Sequence, residues 1–356
     1  MLTLLYSGLF FLLGFVAISL LIKPQIHKYQ ESLEMTFTML PLPYMLGIYA
    51  IGSIGIYYSF SNADFIESLT LIRVITPVLF AALLYFMSFI VSRFWLAILT
   101  VFCLSVTVFL QPFSGDALFP EIPQLLTKLL IIAFFSVYCL GSRIMNLLPH
   151  TFIIPNIIVL VGLIVIAFLG ASPLYIGLSC ALLAGILGGY LGQNFLQVKI
   201  DFDDDAALVI AYLVSSLLLM NMGEFCFPSC LILTSVFWAE LLIAMWNKYF
   251  SVRTGTLSEN TNYYIAAQKY SVQVLTLNIF KIGVVTLFLA WFQLFAENQY
   301  SLPIVALLIT LWLNGNIGQH LEKKSLKQVN REFVDELKQN ISEAKKILQN
   351  KSEDKK

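Results

Sequence analysis

The sequence predicts an all-α, multi-pass membrane protein with about eleven spanning helices, its N-terminus outside and its C-terminus cytoplasmic. Three observations predict it. The 356 residues are 59% hydrophobic and only 12% charged, where a soluble domain carries about 25% charged residues. The apolar residues fall into runs close to the roughly 20 needed to cross a bilayer. Basic residues collect in alternate connections, as they do in cytoplasmic loops.

The runs are 2–22, 41–60, 71–91, 94–113, 124–147, 152–170, 173–195, 206–222, 227–247, 273–294 and 300–315. The first lacks a charged leader region and a small-residue cleavage site, so it reads as a retained helix. The breaks at 91–94 and 170–173 are short. Lys23 and Lys28 follow the first run, Arg93 the third, Arg143 closes the fifth, Lys199 follows the seventh, and Lys248, Arg253 and Lys269 follow the ninth. The alternate connections hold no Lys or Arg. Arg73 and Lys128, just inside the outer ends of runs three and five, oppose this pattern and are outnumbered.

Residues 1–315 form the predicted transmembrane domain and 316–356 a cytoplasmic tail. In the tail Leu326, Val329, Phe333, Leu337, Ile341, Ala344 and Leu348 recur at spacings of three and four. That is the stripe of an amphipathic helix. Such a helix lies on the inner leaflet, docks on the protein, or pairs with a second copy to make a homodimer. The net charge is zero, which gives no electrostatic case for nucleic acid. Three histidines in the whole chain argue against zinc chemistry. Of the five cysteines, Cys103, Cys139 and Cys180 read as small core residues, and Cys226 and Cys230 are expected not to pair.

The stretch that stands out is 189–207, GYLGQNFLQVKIDFDDDAA, with Asp201, Asp203, Asp204 and Asp205 at a membrane boundary. Two carboxylates about 4 Å apart repel by roughly 1 kcal/mol in water and about 4 kcal/mol near a protein surface. The cluster therefore asks for a cation, protonation or spreading into water. Mg2+ prefers such oxygens and shares them with substrate phosphates; a solvated acidic turn is the plainer alternative. The longest interior connection, 247–271, carries Arg253 and Lys269, residue types that hold a diphosphate or anchor on anionic lipid. Two charges fall inside spans. Glu240 and Lys281 each lie roughly 10–12 Å deep at about 1.5 Å per residue. Intramembrane charges pair or line a cavity, so these two are expected to be neighbours, as a structural ion pair or around a substrate.

The aspartate stretch resembles that of the bacterial polyprenyl-phosphate sugar-1-phosphate transferases. This family includes the N-acetylhexosamine-1-phosphate transferases and the enzyme making the first lipid intermediate of peptidoglycan. Gly189-Tyr190-Leu191, Asn194-Phe195 and Lys199-Ile200 follow the family pattern, and Asp204 falls on its metal-site aspartate. His27-Lys28 and Pro43 with Gly47 are similar to its first loop and second span. The resemblance implies an inner-membrane enzyme of cell-envelope biogenesis. It would transfer sugar-1-phosphate from a UDP-sugar to polyprenyl phosphate with Mg2+ at Asp201, Asp203, Asp204 and Asp205. Asp204 is the catalytic candidate; Asn194, Lys199, Arg253, Lys269 and Asn156 are the substrate-binding candidates.

The departures are specific. Val91-Ser92-Arg93-Phe94 keeps the family's Arg-Phe and lacks the preceding Asp-Asp pair. Asn156 leads into Ile157–Gly162 with no acid, the histidine-rich motif after span nine is missing, and Ala206-Ala207 replace Gly-Ser. Two other readings follow: an inactive homologue that binds lipid phosphate or a partner enzyme, and a transporter coupled through Glu240 and Lys281. A prenyltransferase ranks below these, because its usual pair of separated acidic motifs is missing.

Overall fold

Apolar runs that enter a bilayer must satisfy their own backbone polar groups, and helices do so within one segment. The computed structural model describes residues 2–30, 41–60, 68–111, 122–146, 149–170, 172–194, 203–222, 227–250, 256–269, 272–295 and 301–316. Among them every regular element is helical. In chain order they are α1 (Leu2–Gln30), α2 (Pro41–Phe60), α3 (Ser68–Ser88), α4 (Arg93–Leu110), α5 (Gln124–Met145), α6 (Pro149–Phe168), α7 (Leu174–Asn194), α8 (Asp204–Asn221), α9 (Phe227–Leu233), α10 (Ser235–Tyr249), α11 (Asn262–Lys269), α12 (Val272–Gln293) and α13 (Ser301–Asn316). A 3-10 turn, Ser258–Asn260, precedes α11.

The protein is a multi-pass membrane protein by the length and apolarity of its helices. Each of the eleven expected segments carries helix, yet among the described residues eight helices are long and apolar enough to cross, or nine if α9 and α10 are one span bent by 51°. Two segments fall short of the expected count. Helix α13 is short, and α2 is diluted by tyrosines, glycines and prolines. The amphipathic tail lies outside the described residues.

The expected continuous span at 227–247 is corrected by a break at Thr234. The Thr234 hydroxyl donates to the carbonyls of Cys230 and Leu231, both at 3.1 Å. Such back-bonding competes with the helix ladder and bends helices. The short break near residue 170 holds: Gly170 has φ +79°, a conformation that favours glycine.

The helices are arranged around α7 and α8. Helix α7 packs most extensively on α1, and also on α6 and α2; α8 packs on α5 and α3. Of the spanning stretch of α8, 89% is buried, against 22% for α1, so α8 is the interior helix and α1 faces lipid along most of its length. Polar links cross the core at α8: Tyr212 shares a 2.8 Å hydrogen bond with Thr107 of α4, and Ser215 lies 3.3 Å from the Cys139 sulfur of α5.

The α1–α7 contact is made by small residues. A Cβ on Gly185 would stand 2.1 Å from the Phe11 carbonyl oxygen, one on Gly189 2.6 Å from that of Phe15, and one on Gly14 2.6 Å from that of Leu182. Backbones this close are the mode by which helices associate in lipid, where no hydrophobic force separates helix from tail. Gly185→Val is expected to lower unfolding stability by about 1–3 kcal/mol through overpacking. Gly8→Ala, whose Cβ would meet nothing within 4 Å, is expected to leave it unchanged; thermal unfolding in detergent compares the two.

Candidate functional site: a carboxylate–guanidinium cluster at one end of the bundle

Helix α8 begins at the acidic stretch. Asp203 is its N-cap and its Oδ1 accepts from the Asp204 N–H at 2.8 Å. Asp204 and Asp205 occupy the first turn, where carboxylates interact favourably with the helix dipole. Adjacent residues on a helix point about 100° apart, which follows from 3.6 residues per turn. They accordingly reach different neighbours. Asp205 is paired to Arg143, in the last turn of α5, with Arg143 Nη2 donating to Asp205 Oδ1 at 2.5 Å. Their side chains are only 15% and 13% exposed. Asp204 lies 3.5 Å from Arg93 Nη2, at the start of α4, and these side chains are 35% and 73% exposed. One pair is therefore enclosed between helices and the other faces outward.

These pairs place the end of α5 and the starts of α4 and α8 at one end of the bundle. Arg73 and Lys128 mark the opposite end. Arg73 Nε donates to the Leu110 carbonyl at 2.8 Å, capping the end of α4, and Lys128 Nζ sits 5.0 Å from the centre of the Phe109 ring. Both basic residues that run against the loop pattern are thus held by the last turn of α4. Capping carbonyls and aromatic faces are ordinary partners for such cations.

Half-burial, then repulsion from Asp205 and Asp204, raises the Asp203 carboxyl above the usual carboxylate range, while the Asp204 N–H and Arg93 oppose this. No group of three or more His, Cys, Asp or Glu side chains suited to a metal exists among the described residues. The three described aspartates serve separate partners. Asp204 is partly exposed and loosely paired, 3.5 Å from Arg93. Since Mg2+ commonly takes one or two carboxylates together with substrate phosphates, Asp204 fits that role and Asp205 does not. Asp201, Lys199 and Arg253 lie outside the described residues, as do the side chains of Asn194 and Lys269.

Two expectations are corrected. Asn156 is buried in α6, where its Oδ1 accepts from the Tyr138 hydroxyl at 2.9 Å and its Nδ2 donates to the Phe152 carbonyl at 2.8 Å. Its amide is spent on joining α6 to α5. Glu240 and Lys281 do not pair. Glu240 is fully buried in α10, while Lys281 is exposed on α12. Glu240 Oε1 accepts instead from the Tyr263 backbone N–H at 2.7 Å. A lysine escapes the expected burial cost by extending its stem along the surface; a glutamate facing inward finds a helix N-terminus.

The connection expected to be one long polar loop is folded in part. Asn260 Nδ2 donates to the Thr256 carbonyl at 2.7 Å, Glu259 Oε2 accepts from the Thr256 N–H at 2.8 Å, and Asn247 Nδ2 donates to the Asn260 carbonyl at 3.0 Å. The Ser258–Asn260 turn touches α5, the helix that carries Arg143. The sequence reading used Arg93 and Arg143 for orientation and missed them as partners. The signal was present: they are the basic residues closing neighbouring helices on the side where the aspartates lie.

Replacing Asp203 with Asn keeps a capping oxygen and removes a carboxyl whose folded pKa is raised. A raised acid favours the folded state at low pH, and that contribution is lost as pH rises through the folded value. Asp203→Asn is therefore expected to raise the melting temperature at pH 7.5, with the gain vanishing near pH 3. Asn156→Ala leaves the Tyr138 hydroxyl unpaired and is expected to cost about 1–3 kcal/mol of stability, read from denaturant or thermal unfolding.

No known family model matches the chain, and no curated protein sequence matches it.

Proposed function

We propose that this protein is a divergent sugar-1-phosphate transferase that joins sugar phosphate from a UDP-sugar to a polyprenyl phosphate at the α4–α5–α8 end of the bundle. The observation that carries this reading is Asp204, a partly exposed carboxylate beside the exposed Arg93, on a helix already neutralised behind it by Arg143 and Asp205. A guanidinium next to a carboxylate at a membrane boundary suits a phosphate ligand: Arg holds phosphate oxygens bidentately. The proposed topology has eleven passes, the N-terminus outside and this end cytoplasmic, in a bacterial inner membrane.

In the proposed reaction an oxygen of the lipid phosphate attacks the sugar-bearing phosphorus. A new P–O–P bond forms, the bond to the uridylyl phosphate breaks, and UMP leaves with the electron pair. Mg2+ bound to ligand phosphates and Asp204 would neutralise the diphosphate. Arg93 orients the phosphates in this scheme and favours the ionised form of the incoming lipid phosphate, while Asp204 would hold the metal. Asp205 and Arg143 fix the turn on which Asp204 stands.

A second reading is favoured by one observation: Asp203 and Asp205 are both engaged within the fold. On that reading the protein binds lipid phosphate or a partner enzyme without catalysis. Transfer of labelled sugar phosphate from a UDP-sugar mixture to undecaprenyl phosphate, with Mg2+ and with a chelator, separates the two. Metal-dependent product that falls by about a hundredfold or more in Asp204→Asn is expected, the loss typical of removing one transition-state electrostatic group. No product with undecaprenyl phosphate still bound establishes the second reading. Neither product nor binding contradicts both.

A further inference from the structure

Glu240 sits in the interior with no described cation beside it. Its neighbour is the N-terminus of α11, the eight-residue helix in the connection between α10 and α12. That terminus approaches from two sides. The Tyr263 N–H donates to Glu240 Oε1 at 2.7 Å, while the Tyr263 hydroxyl donates to Asn314 Oδ1 of α13 at 3.1 Å. Asn262 Nδ2 also donates to the Asn314 carbonyl oxygen. Glu240 and Asn314 are 0% exposed, Tyr263 1%, Asn260 2% and Thr261 3%.

The connection is therefore seated by polar contacts between α10 and α13 as well as by burial. The seat is at the level of the candidate site. A Cβ on Gly141 would stand 2.6 Å from the ring of Phe237, three residues before Glu240, and Gly141 is two residues before Arg143. The Ser258–Asn260 turn contacts the same helix.

We propose that Glu240 is a positioning residue: it seats the 256–269 segment against α5, so that the polar connection stands beside the Arg143–Asp205 end of the bundle. The inference rests on the phosphate-site reading for what the segment serves, and on geometry alone for the seating. The anchor is the Oε1 acceptor. Among the described residues Glu240 Oε2 and Asn314 Nδ2 have no hydrogen-bond partner, and the Asn262 backbone N–H also lies against the Glu240 carboxylate. Glutamine, which keeps the acceptor, is therefore a rescue variant, and alanine is not.

The test is hydrogen–deuterium exchange of the full chain in nanodiscs, with wild type, Glu240→Gln, Glu240→Ala and Tyr263→Phe. It is paired with equilibrium binding of UDP-N-acetylglucosamine as the probe. Glu240→Ala is expected to speed exchange of the 256–269 amides by about tenfold or more, as expected for a lost buried hydrogen bond, while the amides of α1–α8 keep their rates. Its probe affinity is expected to fall by a similar factor. Glu240→Gln is expected to match wild type in both. Tyr263→Phe removes one hydroxyl, keeps the bundle intact if the alanine variant fails to assemble, and is expected to raise exchange in the same segment only.

Unchanged or bundle-wide exchange in the variants overturns the proposal. Faster local exchange with unchanged probe affinity overturns the positioning role while the phosphate-site reading stands. If wild type does not bind the probe, the phosphate-site reading fails, and the exchange pattern alone decides the seating.

Discussion

Arg143 and Asp205 meet at 2.5 Å between α5 and α8 with little solvent on either side chain. Removing two charges from water is expensive, and their attraction repays it only where the geometry is close. Breaking one partner leaves a charge with nowhere to go. That constraint fixes the end of α5 to the start of the most enclosed helix. The placement of Asp203 and Asp204, and the outward-facing Arg93, follows from it. The same end of α5 receives the Ser258–Asn260 turn, so one helix terminus organises both the acidic turn and the long connection.

The bilayer imposes a matching rule on the rest of the chain: charges and polar groups inside it must be answered by the protein. Arg73 answers the free carbonyls of α4, the Tyr263 N–H answers Glu240, and Asn156 answers Tyr138. Where polar partners are lacking, backbone proximity replaces them. Helix α1, mostly facing lipid, is held to α7 by the glycines at 14, 185 and 189. The two devices divide the molecule. Small residues build the α1–α7 side and charged or amide pairs build the side around α5, α8 and α10.

The fold class was legible because apolarity and run length act residue by residue, and every expected segment contains helix. The break at Thr234 was not, since it depends on a hydroxyl choosing the Cys230 and Leu231 carbonyls. The folded 256–269 segment was hidden for a related reason: an eight-residue helix that buries little more than Tyr263 and Ala266 is too short to announce itself, and its seat on Glu240 and Asn314 is distant in sequence. At the candidate site the aspartates were visible as a cluster, but the partner that each one faces was not. Helical geometry splays Asp204 and Asp205 toward two arginines. The Glu240–Lys281 pairing failed because equal depth does not imply the same face.

Two adjacent aspartates divide their labour: Asp205 is enclosed within the fold, and Asp204, beside exposed Arg93, is the one proposed for the ligand. A double-mutant cycle of Arg143→Met and Asp205→Leu, with Asp204→Asn alongside, tests it by unfolding in detergent. Each single change at the buried pair is predicted to cost about 3–5 kcal/mol, with the double far less destabilising than their sum. Asp204→Asn is predicted to change stability by under about 1 kcal/mol, as for an exposed pair. Additive, small effects at Arg143 and Asp205, or a large loss at Asp204, would contradict it.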